Sequence, residues 1–230
     1  ELNESVYPPL AAEWGMGERE CLWEIEVESY APVFFQAGKK KRYAQRVTWK
    51  DGKDTDEVKI EGFGTNRGDA APLTKDLQLG VLTAIRDGAD EGKLSSLVFG
   101  YSKKLADPAT DPEYLAIPQG IGQHFEDYDS PGAHVRGAMY ANAIMGTNFG
   151  KDDKPRRLYI EPRYFPQVGE EIEVICFEES EELPPEVRPN IPVLNEKLIV
   201  KTAGPILEAV GIDMKAALRG QQQRGLADYV

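Results

Sequence analysis

Cysteine, histidine and long apolar runs are all scarce in this chain, and each scarcity removes a class of function. Of its 230 residues two are cysteine and two are histidine. Cys21 and Cys176 stand far apart, outside any CxxC pair, and His124 and His134 are not spaced with them as metal ligands. The pattern argues against a zinc site and fits a reducing cytoplasm, the expected location. No apolar run approaches the roughly 18 residues of a membrane span, and no charged-then-apolar leader opens the chain, so no membrane partner is expected. The chain starts at Glu1 and not at Met, from which the expectation is that its natural start is missing or has been processed.

Positive charge is short as well. Lys and Arg number 27 against 39 Asp and Glu, a formal net charge of -12. An excess of this kind is compatible with the hydrated surface of a halophile, with an acidic interaction protein, or with plain solubility. It repels DNA overall, so only a local basic face could bind a nucleic acid. The sequence holds no Walker-type glycine loop, no GxSxG elbow and no HExxH pair. Arg67-Gly68-Asp69 spells an adhesion tripeptide, which in a cysteine-poor chain reads as incidental. His134, at a predicted helix start, reads as a structural or capping histidine rather than a catalytic one.

What is present is concentrated. The segment QAGKKKRYAQRVTWKDGKDTDEV, residues 36–58, gathers Lys39, Lys40, Lys41, Arg42, Arg46 and Lys50 with no acid among them. A solvated charge run is the plain reading of three lysines. Tyr43, the added arginines and the acidic background favour a phosphate contact. Asp51-Gly52 between KKRYAQRVTW and EVKIEGF predicts a β-hairpin, with the basic cluster starting on a loop and running into its first strand. Before it, CLWEIEVESY alternates with period two and predicts a strand over 21–30. Its Glu24, Glu26 and Glu28 face is either solvated or the neighbourhood of a metal or catalytic group.

Beyond Asp69 the period becomes helical. Leu77, Val81, Ala84 and Ile85 predict an amphipathic helix with Thr74 as its N-cap, closing at Gly88. Leu94, Leu97, Val98, Tyr101 and Leu105 predict a second, ending before Pro108. A third is predicted from a Ser130 cap and Pro131 at the first helical position to Gly146. RRLYI (156–160) and EIEVICF (171–177) read as strands. EESEELPPEVRPNIP reads as an exposed acidic connector, followed by a short helix opening at Pro205, another capped by Asp213, and a polar tail.

Taken in order, EWGMGERECLWEIEVESYAPVFFQAGKKKRYA, GFGTNRGDAAPLTKDLQ, AHVRGAMYANAIMGTN, KPRRLYI and VICFE resemble the archaeal family B DNA polymerases, and the composition is similar to that of haloarchaeal members. The resemblance runs over essentially the whole chain. It implies an α+β protein: the end of a palm β-sheet over residues 1–68, then a mainly helical thumb with a small β subdomain over 69–230. It implies that Lys39, Lys40, Lys41, Arg42 and Tyr43 lie along primer-template DNA, with Lys40, Lys41 and Tyr43 matching the paired-lysine, tyrosine signature. Arg67 and Asp69 match the Arg-x-Asp pattern at the palm-thumb junction, where Arg67 would meet a backbone phosphate. Glu26 and Glu28 match acids near the metal site.

The family's metal-binding aspartates would precede Glu1. This chain is therefore expected to be inactive alone, and to complete an N-terminal polymerase chain carrying exonuclease, fingers and the rest of the palm. That chain would bind most of the Mg²⁺ used in nucleotidyl transfer. Met139 stands where the family helix often has lysine, a departure that counts against a DNA contact there. Gln223, Leu226 and Tyr229, followed by Val230, resemble a degenerate sliding-clamp box, so the clamp is a further expected partner. The alternative functions are a stand-alone DNA-binding or replication-initiator module, which would discriminate between sequences, and a clamp-binding adaptor without DNA affinity.

Overall fold

The computed structural model describes residues 5–15, 26–36, 41–215 and 218. It is a mixed α+β protein with small antiparallel sheets. Two compact units make up the chain, one drawn from Glu1–Phe34 and Gln45–Lys59, the other from Phe35–Ala44 and Ile60–Val230.

In the first unit α1 (Tyr7–Glu13) opens with prolines, whose fixed φ and missing N–H suit a first helical turn, and buries Ala11. Antiparallel β1 (Ser29–Tyr30) pairs with β3 (Tyr43–Lys50), Ser29 opposite Lys50 and Tyr30 opposite Trp49. β2 (Val33–Gln36) belongs to the same sheet, and β4 (Lys53–Glu61) pairs with β3. The hairpin between β3 and β4 forms as the sequence predicts. Asp51 and Gly52 have φ of 48° and 81°, the left-handed pair that a two-residue turn matching strand twist requires. The Asp51 N–H also donates to the Glu28 carbonyl at 3.0 Å, tying the turn to the segment before β1. The predicted strand over 21–30 is two residues long within the described part, since Glu26–Glu28 are not in a strand and 21–25 lie outside the described residues.

The second unit holds a continuous apolar core. α2 (Pro72–Arg86) presents Leu73, Leu77, Val81 and Leu82 to it, and α3 (Glu91–Ala106) presents Leu94, Val98 and Leu105. Asp90 caps α3 by accepting the Lys93 N–H at 2.8 Å, an interaction that contributes about 1 kcal/mol in such positions. Thr74 is not the cap of α2. Ala71 takes that position with Pro72 at the first turn, and the Thr74 hydroxyl instead donates to the Leu198 carbonyl at 3.1 Å. Beyond α4 (Pro112–Leu115), strand β5 (Ile117–Pro118) pairs with β6 (Arg156–Phe165), which pairs with β7 (Glu170–Phe177).

α5 (Ala133–Met145) packs on β7, where a Cβ on Gly137 would lie 3.0 Å from Cys176 Sγ. The helix begins after Gly132, not at Ser130 and Pro131, and ends as predicted on a left-handed Gly146. β6 runs past the predicted Ile160 because a register shift between Tyr159 and Arg163 accommodates Pro162. There the supposed connector becomes structural. Ile160 bridges Pro189, and the Glu161 N–H donates to the Arg188 carbonyl.

The last part departs most from expectation. In place of a helix opening at Pro205, a helical path begins with α6 (Ile191–Leu194), widens into a π-helical stretch over Asn195–Val200, and continues as α7 (Lys201–Glu208) with Pro205 inside it. The Leu198 carbonyl accepts from both the Thr74 and Thr202 hydroxyls, so side chains serve an oxygen in the stretch where helical register changes.

Candidate nucleic-acid interface

The basic segment enters the described structure at Lys41, which holds a left-handed φ of 64°. Its carbonyl lies against Gly62, where a Cβ would stand 2.0 Å from the Lys41 oxygen, and Gly62 itself has φ of 75°. Only glycine satisfies both demands. The close approach fixes the backbone that delivers Arg42 and Tyr43, both half-buried.

Not all the cations of the segment are available to an anion. Arg46 is held by Asp56 across the hairpin, Nε to Oδ1 at 2.8 Å and Nη2 to Oδ2 at 3.2 Å. Lys50 sits 3.9 Å from Glu57. Alternating charge on facing strands accounts for these two without any ligand.

Arg67 grips Asp69 with two bonds, Nε to Oδ1 at 2.8 Å and Nη2 to Oδ2 at 2.7 Å. The guanidinium holds the Asp69 carboxyl below the usual carboxylate range, chiefly by hydrogen bonding, so the acid stays charged and partly offsets Arg67. The pair explains Arg-x-Asp locally as a fork closing a tight loop.

A cleft of about 260 Å³ opens in the second unit beside this loop. One wall carries Arg42, Gly64, Arg67 and Asp69, and the other comes from the helical path at Lys197, Lys201 and Thr202. Gln78 spans its floor, accepting the Gly64 N–H at 2.6 Å through Oε1 and donating through Nε2 to the Thr202 carbonyl at 2.9 Å. Lys197 Nζ lies 4.4 Å from the centre of the Tyr159 ring. Lys197 and Lys201 were not candidates from sequence, because the prolines around them disguise the helix that brings them here. A usable signal existed in the spacing of Leu194, Leu198 and Ile199, Ala203, and Ile206, which is helical.

Of the remaining sequence candidates, Glu26 and Glu28 are exposed just before β1. Among the described residues the only three acids close enough to share a cation are Glu113, Glu179 and Glu181, far along the chain from both. The structure thus brings Arg42 and Arg67 to one cleft, and places Lys41 and Tyr43 on either side of Arg42 in the chain. Met139 is exposed on α5. Lys39, Lys40, Gln223, Leu226, Tyr229 and Val230 lie outside the described residues. Among the described residues no helix is long and apolar enough to cross a membrane. Compared with known proteins, the chain matches no family model and no curated protein.

Proposed function

We propose that this chain is the C-terminal palm and thumb segment of a family B DNA polymerase, gripping primer-template duplex in DNA replication while an N-terminal chain supplies nucleotidyl transfer. The ordered likeness of its sequence blocks to that family motivates the reading. The observation that carries it physically is that Arg42, from the basic segment, and Arg67, from the Arg-x-Asp loop, line one cleft despite lying on separate stretches of chain. An enzyme that copies every sequence needs contacts to phosphate and shape rather than to base edges, and arginines in a cleft are suited to that. Mg²⁺ would be held mainly by aspartates of the N-terminal chain, with Glu26 and Glu28 the acids this chain offers nearby. The clamp would engage Gln223, Leu226, Tyr229 and Val230.

Primer extension with Mg²⁺ tests the reading directly, using this chain, an N-terminal polymerase chain of the same family, and their mixture. Synthesis in the mixture, well above that of either alone, is the expected result. Two folded chains that give no gain on mixing would defeat it. Lys40→Ala with Lys41→Ala should weaken DNA binding by the assembled enzyme and make it less salt-dependent, by a slope of about 0.9 for each phosphate no longer neutralised.

A further inference from the structure

The cleft beside Arg67 has features that packing alone does not account for. Four cations, Arg42, Arg67, Lys197 and Lys201, line it against one carboxylate, Asp69, in a chain whose net charge is -12. Lys197 and Lys201 stand four residues apart across the junction of the π-helical stretch and α7. Like charges at that spacing destabilise a helix by about 0.2–0.5 kcal/mol, and among the described residues no ion pair to either is found, Lys197 Nζ resting instead on the Tyr159 ring. A π-helical turn is itself uncommon and concentrates at functional sites. The backbone is held from both sides: Gln78 ties the Gly64 loop to the Thr202 carbonyl, and the close approach of Lys41 to Gly62 fixes the backbone before Arg42. At about 260 Å³ the space falls below the roughly 300–1,000 Å³ of drug-sized ligand sites, which suits a single small anion with its water.

We propose that this cleft is a phosphate-binding site in which Lys197 and Lys201 form one wall and Arg42 and Arg67 the other. Lysine ammoniums act as point charges on the phosphate, while Arg67, with one edge of its fork on Asp69, keeps its remaining N–H groups for an oxygen. The phosphate is one of a nucleic-acid backbone or a free phosphate or pyrophosphate ion. Only the choice of the backbone as carrier rests on the polymerase reading.

The test uses the full 230-residue chain, with fluorescently labelled primer-template duplex read by anisotropy from about 50 to 200 mM salt. Pyrophosphate binding is followed in parallel by calorimetry. Lys197→Ala with Lys201→Ala should lower duplex affinity about tenfold and flatten the salt slope by about one unit for each phosphate no longer neutralised. Both changes should exceed those of Lys93→Ala, an exposed cation on α3. Because Lys197 stacks on Tyr159, Lys201→Gln serves as the second variant: Lys201 is exposed, and its replacement leaves that stacking intact. Duplex and pyrophosphate binding both unchanged in these variants, with the wild type binding duplex, would overturn the cleft and leave the polymerase reading standing. Wild type that binds pyrophosphate through these lysines but not duplex would uphold the cleft and assign it to a free phosphate ion rather than to a nucleic-acid backbone. Wild type that binds neither would overturn the cleft, and the polymerase reading would stand or fall on primer extension by the mixed chains.

Discussion

The two compact units differ in how much apolar surface each of them encloses. Among the described residues of the first, only Ala11 and Val47 are buried apolar side chains, while Trp14, Val27, Tyr30 and Phe34 are each more than half exposed. Its hairpin is stabilised by a turn and by surface ion pairs, contributions of about 0–1 kcal/mol each. The second unit encloses fully buried Leu73, Leu77, Leu82, Leu105, Leu158, Ile175 and Phe177 in one cluster. At about 1.5–3 kcal/mol per large apolar side chain removed from water, one such cluster outweighs everything visible in the first unit. A unit that leaves Trp14, Val27, Tyr30 and Phe34 in water has a surface suited to further protein, as the proposed N-terminal chain would provide.

Substitutions should separate the units sharply. Leu77→Ala, at a fully buried position on α2, is expected to cost about 2–5 kcal/mol in urea unfolding, whereas Val58→Ala on the exposed part of β4 should stay within about 0.5 kcal/mol. Equal costs would mean that the first unit has a core of comparable weight. Next in size, Gly62→Ala forces a left-handed alanine against the Lys41 carbonyl, with an expected cost of about 1–3 kcal/mol. It should weaken phosphate or DNA binding beyond its effect on stability, because the same close approach positions Arg42. A variant with wild-type affinity would separate Arg42 placement from that turn.

The sequence shows these differences unevenly. α2 and α3 are legible because their apolar residues recur at helical spacing, and the hairpin because Asp51-Gly52 supplies a turn that few other dipeptides can. Cap positions are less so. Thr74 has the right chemistry for an N-cap, yet the pressure to bury its α2 face and to satisfy the Leu198 carbonyl places it inside the helix. The stretch from Ile191 to Glu208 is the least legible. Pro192, which reads as part of a connector, sits in the first turn of α6, where proline costs nothing, and Pro205, which reads as a helix start, is carried inside α7. With the helix hidden, Lys197 and Lys201 could not be seen as the second wall of a site. Arg42 and Arg67 could, because both stand in conspicuous local contexts, although nothing local in either context indicates that they meet.

Smaller effects probe the packing of the second unit. Burial pushes the Cys176 thiol up to about 12, and its Sγ donates to the His134 carbonyl at 3.3 Å. In a Cys21→Ser background at pH 8, disulfide-exchange labelling of native protein should run about a hundredfold or more slower than for a free thiol. Addition of denaturant should abolish the difference. Rapid labelling without denaturant would show that β7 opens readily, contrary to a core that distinguishes this unit from the first.

The smallest effect concerns His134. Burial, with a lesser contribution from the Arg157 charge, holds its imidazole below the ordinary value of 6.5 in the folded chain. The unfolded state therefore binds a proton first as pH falls, so the contribution to stability is complete above the unfolded value and is lost on descending through it toward the folded one. Glu179 is shifted the opposite way, its carboxyl raised mainly by the neighbouring Glu113 charge, and works against this trend on acidification. A wild-type pH profile alone cannot separate the two. The difference between wild type and His134→Gln can, since Glu179 acts on both. Between pH 7.5 and 5.5 the urea midpoint of the wild type should fall further than that of the variant, and parallel profiles would show that His134 contributes nothing to the pH dependence of stability.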